Sequence, residues 1–255
     1  MQFGVVGAVE DAAWIKEAGA DFLESLVQPV LKPAEEAWSP PVDPGRLPLP
    51  LAAYNVFFPA ALKITGPDAD LDRIRAWSAR AAARAARMRS EVIVFGSGGA
   101  RSVPDGWPRR RAEEQLIEAM RAIGPVARAQ GITIAMEPLR RAESNILNTV
   151  AEGLDLIRRA AAPGVAVLCD FYHLAVENEP LAHLDAAGPL LAHVHIAEPE
   201  GRVPPQPGKT DYRPFLAKLK AIGYDRRISI ECKWQDMRRE LGPALGFLRG
   251  EWAAA

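Results

Sequence analysis

The sequence predicts an α/β fold, a single (β/α)8 barrel spanning residues 1–255, and three observations carry that prediction. The length of 255 residues suits eight βα units in one domain. Short apolar runs alternate with longer stretches of helical character along the whole chain. The chemically versatile side chains fall at the far ends of those runs, where a parallel barrel has its mouth.

The strand candidates, in order, are Phe3–Val6, Phe22–Leu26, Leu51–Val56, Val92–Phe95, Thr133–Met136, Ala166–Cys169, Leu191–Ile196 and Ile228–Cys232. They are almost continuously apolar rather than alternating, as expected of parallel strands covered on both faces. Helical stretches lie between most of them: Asp11–Ala18, Leu71–Arg89, Arg111–Gln130, Thr149–Ala161 and Tyr212–Ile222. Thr149 and Glu152 have the spacing of a capping box. Gly131 and Gly223 each end a helix just before a strand. Trp38–Pro50 is rich in proline and reads as a loop replacing or following a weak second helix. Arg73–Arg89, rich in Ala and Arg, reads as the solvated outer face of a barrel helix. A doubly wound open sheet is the rival architecture; the placement of the polar residues favours the barrel.

Apolar residues make up 49% of the chain, enough for a large core, and the net charge of -1 offers no basic excess for nucleic acid or anionic membrane. Cys169 and Cys232 sit in apolar runs far apart and read as reduced thiols. MQFGVVGAVEDAAW lacks the pattern of a signal peptide, and no run reaches the length of a membrane span, so a cytoplasmic protein is expected.

The fifth strand, ITIAMEP, ends in Glu137. The sixth, VAVLCDFYH, ends in Asp170, with His173 three residues later. The seventh, LLAHVHIAE, carries His193 and His195, and the eighth, ISIECKW, ends in Glu231. One such residue could simply cap a helix or reach solvent. Four successive strands converging on one mouth would hold mutually repelling carboxylates unless a cation lay among them. Three carboxylates and an imidazole suit one divalent metal, Mn²⁺, Mg²⁺, Co²⁺ or Zn²⁺, and the oxygen-rich set leans toward Mn²⁺ or Mg²⁺. His193 points to the same face as His195 but one layer deeper, where a supporting role is expected rather than ligation.

Several stretches, FGSGGARSVPDGWPRRRA, EPLRRAESNILNTVAEG, CDFYHL, HVHIAEPEGRVPPQPGKTDY and LKAIGYDRRISIEC, resemble the xylose-isomerase-like TIM-barrel superfamily of sugar isomerases and epimerases, nearest to ketose 3-epimerases of the D-tagatose and D-psicose type. They cover most of the chain after residue 91; the first 90 residues match only in general pattern, and the loop from His195 to Arg202 is about one residue longer. The resemblance implies that Glu137, Asp170, His195 and Glu231 are metal ligands. It implies that Glu137 and Glu231 are also the acid/base pair, and that His173 and Arg202 hold substrate oxygens. Glu143 would orient His173 or the substrate, or merely bond within its loop. The implied reaction inverts carbon 3 of a ketose by proton removal and return through a metal-stabilised enediolate.

Hydroxypyruvate isomerases and inosose dehydratases share this fold and mononuclear metal, and a non-catalytic sugar-binding barrel is a reading from another class. An abasic-site endonuclease needs three zinc ions and early histidines, whereas all four histidines here lie at or after residue 173. GRVPPQPGKT mimics a P-loop, but six residues rather than four separate Gly201 from Gly208, and three are proline. Asp211 is expected to start the following helix, and Trp107 to belong to a lid over the site. Expected partners are a small sugar and, through outer helices or mouth loops, further copies in a homo-oligomer.

Overall fold

The computed structural model describes residues 1–255. Its strands are β1 (Gln2–Val6), β2 (Phe22–Leu26), β3 (Leu51–Asn55), β4 (Val92–Phe95), β5 (Thr133–Met136), β6 (Val165–Asp170), β7 (Leu191–Ile196) and β8 (Arg227–Ile230). They pair in sequence order, all parallel, and β8 closes on β1. The barrel expected from the alternation is therefore the fold, and the open sheet is excluded.

The interior is filled by small and branched side chains, Ala53, Val92, Val94, Ala135, Ala166, Leu168 and Ala192, as a closed parallel barrel requires. The outward faces of the strands join the larger core beneath the helices. Thr149 accepts from the Glu152 N–H at 3.1 Å, while Glu152 returns to the Asn148 N–H at 2.6 Å, one residue before the position a capping box uses. Gly131 and Gly223 follow their helices at φ of +73° and +75°, which is why glycine stands there. Asp211 accepts from the Arg213 N–H ahead of the helix Arg213–Ala221. Both cysteines are unpaired, and no helix is long and apolar enough to cross a membrane.

Two features depart from expectation. The helix Leu71–Arg87 is not simply a solvated face: Arg84 is buried, and its guanidinium donates to the carbonyls of Leu31, Lys32, Glu35 and Glu36. This arginine pins the irregular segment that follows the short helix Val27–Leu31. The C-terminal helix Met237–Ala254 buries Leu241, Ala244, Leu245 and Leu248 at helical spacing. Gly242, Pro243, Gly246 and Gly250 mask it in the sequence.

Candidate metal centre

Register carries the polar residues to one level of the mouth. Asp170 pairs with His195 across β6 and β7, the Glu137 N–H donates to the Phe95 carbonyl, and the Glu231 N–H donates to the Ile196 carbonyl, both at 3.2 Å. One ligand atom from each of Glu137, Asp170, His195 and Glu231 lies within 4.8 Å of the other three. The four residues singled out from the strand ends are thus brought together.

Nδ1 of His195 stands 3.3 Å from Oε1 of Glu137 and 3.4 Å from Oε2 of Glu231. Nδ1 of His195 and Oε1 of Glu137 are buried and have no hydrogen-bond partner. The other ring nitrogen, Nε2, is 3.0 Å from Oε1 of Glu24. Burial works against a charge on His195, but Glu24 and Glu231 outweigh it and raise its pKa, so a cation here would take the place of the Nδ1 proton, with an imidazole and carboxylate oxygens as its donor set.

The electrostatics are uneven. Burial, reinforced by the Glu137 charge, pushes Asp170 up to about 7. Burial also raises Glu137, whereas for Glu231 the penalty of burial is outweighed by His195 and Arg202, which bring it down to about 2. Arg202 donates to Glu231 and, at 3.3 Å, to Asp170, and its guanidinium lies 4.7 Å from the centroid of the Tyr172 ring. It sits at φ +54° in the loop after β7. Glu198 anchors that loop, accepting from the Gln206 N–H at 3.1 Å and from the Thr210 hydroxyl at 2.5 Å.

His173 follows β6 on the short helix Phe171–Val176. Its Nδ1 accepts from the Arg140 N–H at 3.3 Å, so its proton lies on Nε2, 3.4 Å from Asp170. Burial and the Arg202 charge lower His173 to about 3, so it is neutral and presents an N–H donor. Glu143 makes its firm bond to Arg140, at 2.7 Å, and stands 4.0 Å from His173. The Arg140 backbone is thus the bonded partner of His173, and Glu143 bonds within its own loop.

A cavity of about 370 Å³ opens over these groups. Its lining includes Glu137, Glu143, His173, Arg202 and Glu231 together with Gln28, Asn55, Val56, Phe58, Pro59 and Ala60. Ser97, Gly98 and Gly99 complete the wall from the loop after β4. A side chain at Gly96 would collide with Oε2 of Glu137. Trp107 lies outside this lining and donates to Gln115 at 3.2 Å instead, so the lid expectation does not hold for it. A larger hollow of about 650 Å³ lies at the opposite end of the barrel, where Arg227 is already satisfied by Glu91 at 2.8 Å. It contains none of the converging ligands and is the end where parallel barrels do no chemistry.

Three residues of this region escaped the sequence reading. Asn55 donates to Oε1 of Glu231 at 2.9 Å. Arg101, fully buried, donates to the Phe95 carbonyl at 3.1 Å, and burial lowers it to about 10 against the pull of Glu137. Glu24, within β2, accepts from both His193 and His195. A carboxylate inside an otherwise apolar strand was the available signal for Glu24; His193 has the supporting place expected of it.

Residues 12–250 match the family described as the xylose isomerase-like TIM barrel. The chain belongs to this family. Among its curated relatives, a D-psicose 3-epimerase of Agrobacterium fabrum is 31% identical over 116 residues, 45% of this chain and 40% of that protein. An L-ribulose 3-epimerase of a Methylomonas species is 35% identical over 160 residues, 55% of this chain and 56% of that protein. The matched stretches thus span about half the length of these relatives. The solved structure of a 3-keto-D-glucoside 4-epimerase from E. coli superposes with a TM-score of 0.84 at 22% identity, covering 98% of this chain and 99% of that one. That of a D-psicose 3-epimerase from Clostridium cellulolyticum gives 0.83 at 20% identity, with 99% of both chains covered. At these identities the superpositions establish the shared barrel within the family and nothing finer.

Proposed function

We propose that this protein is a divalent-metal-dependent ketose 3-epimerase. The observation that carries the reading is the pairing of Glu137 and Glu231. They directly follow β5 and β8 and both face Nδ1 of His195, at 3.3 and 3.4 Å. Two carboxyls brought to one site from different strands are what proton removal and return require. The cavity of about 370 Å³ is at the scale of a small-molecule site. The similarity to D-psicose and L-ribulose 3-epimerases supports a ketose as the substrate.

Glu137, Asp170, His195 and Glu231 would hold the cation, with Mn²⁺ favoured by three oxygen donors and one nitrogen. When bound, it would supply positive charge for the oxygen that gains negative charge as the neighbouring proton leaves. The remaining work belongs to the side chains. Glu231, held by Asn55, takes a proton from the sugar carbon, and Glu137 delivers one from the other side. Delivery to the opposite face inverts the centre. The Nε2–H of His173 and the guanidinium of Arg202 hold substrate oxygens.

The deciding experiment mixes Mn²⁺-loaded protein with a panel of free ketoses in deuterium oxide and follows deuterium entry by NMR. Deuterium at carbon 3 together with a new epimer, lost in Glu137→Gln and in Glu231→Gln by at least about a hundredfold, is the expected result. Deuterium at carbon 1 or 2 with an aldose product would make the protein an aldose–ketose isomerase. No exchange in any ketose, with metal bound, would overturn the proposal.

A further inference from the structure

Glu24 lies within β2, a strand that supplies none of the candidate ligands, and it has no exposed surface. We propose that Glu24 is a positioning residue for the metal centre. Its carboxylate accepts from Nε2 of both His193 and His195, keeping a proton on Nε2 of His195 so that Nδ1, which faces Glu137 and Glu231, is the nitrogen available to a cation. This rests on the reading that the cluster around His195 holds a divalent cation.

The argument is one of donors and acceptors. An ionised carboxylate only accepts, so each ring nitrogen facing it must carry a proton. Oε2 is 2.8 Å from Nε2 of His193, and Oε1 is 3.0 Å from Nε2 of His195. The two rings stand nearly perpendicular, at 85°, with centroids 5.2 Å apart. Each carboxylate oxygen therefore serves one ring, and Glu24 cannot turn to favour one histidine without abandoning the other. His193 makes no other side-chain bond, for its Nδ1 is buried without a partner. Its one polar contact is the one that holds Glu24 in place. The tautomer of His195 is then set from behind, and with it the direction of the lone pair that enters the metal site.

Ligand atoms of Glu24, His193 and His195 also lie close enough to hold a cation of their own. The direct hydrogen bonds already occupy the facing atoms, so the positioning reading expects one cation per chain, not two.

Two measurements test this. In Zn²⁺-loaded protein labelled with ¹⁵N-histidine, long-range ¹H–¹⁵N correlation should place the His195 proton on Nε2; a proton on Nδ1 would overturn the proposal. Calorimetry with Mn²⁺ should then show one site, with affinity about 10–100-fold lower in Glu24→Gln. The amide there offers one acceptor and a donor, which forces one ring to move its proton. His193→Gln, which can still donate to Glu24, should keep most of the affinity. Asp170→Asn separates the two readings. If it loses Mn²⁺ while Glu24→Gln binds as tightly as wild type, the positioning role is wrong and the metal site stands. If wild type binds no Mn²⁺, or Asp170→Asn binds it unchanged, the site reading fails and the positioning role fails with it. Two Mn²⁺ per chain would overturn the single-site arrangement. Should Glu24→Gln fail to fold, the wild-type histidine spectrum still decides.

Discussion

Asp170 caps the helix Phe171–Val176 through the Tyr172 N–H at 2.9 Å, accepts from Arg202 and faces His173, all while fully buried. Its carboxyl titrates near 7 in this setting instead of 3.8. The unfolded chain releases that proton first, so the contribution to stability is full below about pH 4 and is lost as pH rises toward 7. Asn can keep the cap without titrating. The stability difference between metal-free Asp170→Asn and wild type should therefore move in favour of the variant as pH rises from about 4 to 7, as urea titrations at several pH values would show. Flat difference curves would disprove the assignment. Arg202 offers a second case, because it donates to two of the four candidate ligands and so competes with any incoming cation. Arg202→Ala should bind Mn²⁺ about tenfold more tightly by calorimetry, yet turn over ketose more slowly.

The strands and their terminal residues were legible because each signal is local: an apolar run, then a carboxylate where the run meets the mouth. Glu137 after TIAM and Asp170 after VLC needed no knowledge of other elements. The partners of Glu24, Asn55 and Arg101 were not legible, because they lie 171, 176 and 6 residues away and only closure of the barrel or the turn after β4 joins them. Arg84 escaped for a related reason, since its partners are backbone carbonyls of a loop with no pattern of its own. Packing between elements makes a further demand. Gly124, within the helix Arg109–Ala129, faces the Pro163 carbonyl so closely that a Cβ would collide with it and come within 2.9 Å of Val165. Gly124→Ala should destabilise the fold by about 1–3 kcal/mol, seen as a lower denaturant midpoint with unchanged slope. Folded variant should keep its turnover, because the contact is remote from the cavity lining.

At the scale of the molecule, the four candidate ligands tie together β5 to β8 near their C-terminal ends. Mn²⁺ at a hundredfold its dissociation constant should stabilise the folded chain by about 2.7 kcal/mol, or about 5–10 °C in the unfolding midpoint. Chelation should reverse the gain, and an unchanged midpoint would argue against a bound cation. The same partition has a consequence for how the protein can change. Reagents come from the second half of the chain, whereas Gln28, Val56, Phe58, Pro59, Ala60 and Ser97 of the same lining come from the first half and carry no ionised group. Part of the wall that meets the substrate is thus written on a stretch of sequence apart from the reagents, although Asn55 and Glu24 of the first half hold two of those reagents in place. A library confined to Val56, Phe58, Pro59 and Ala60 would explore which polyol is accepted while Asn55 and Glu24 stay in place, so that substrates could diversify with the proton chemistry unchanged.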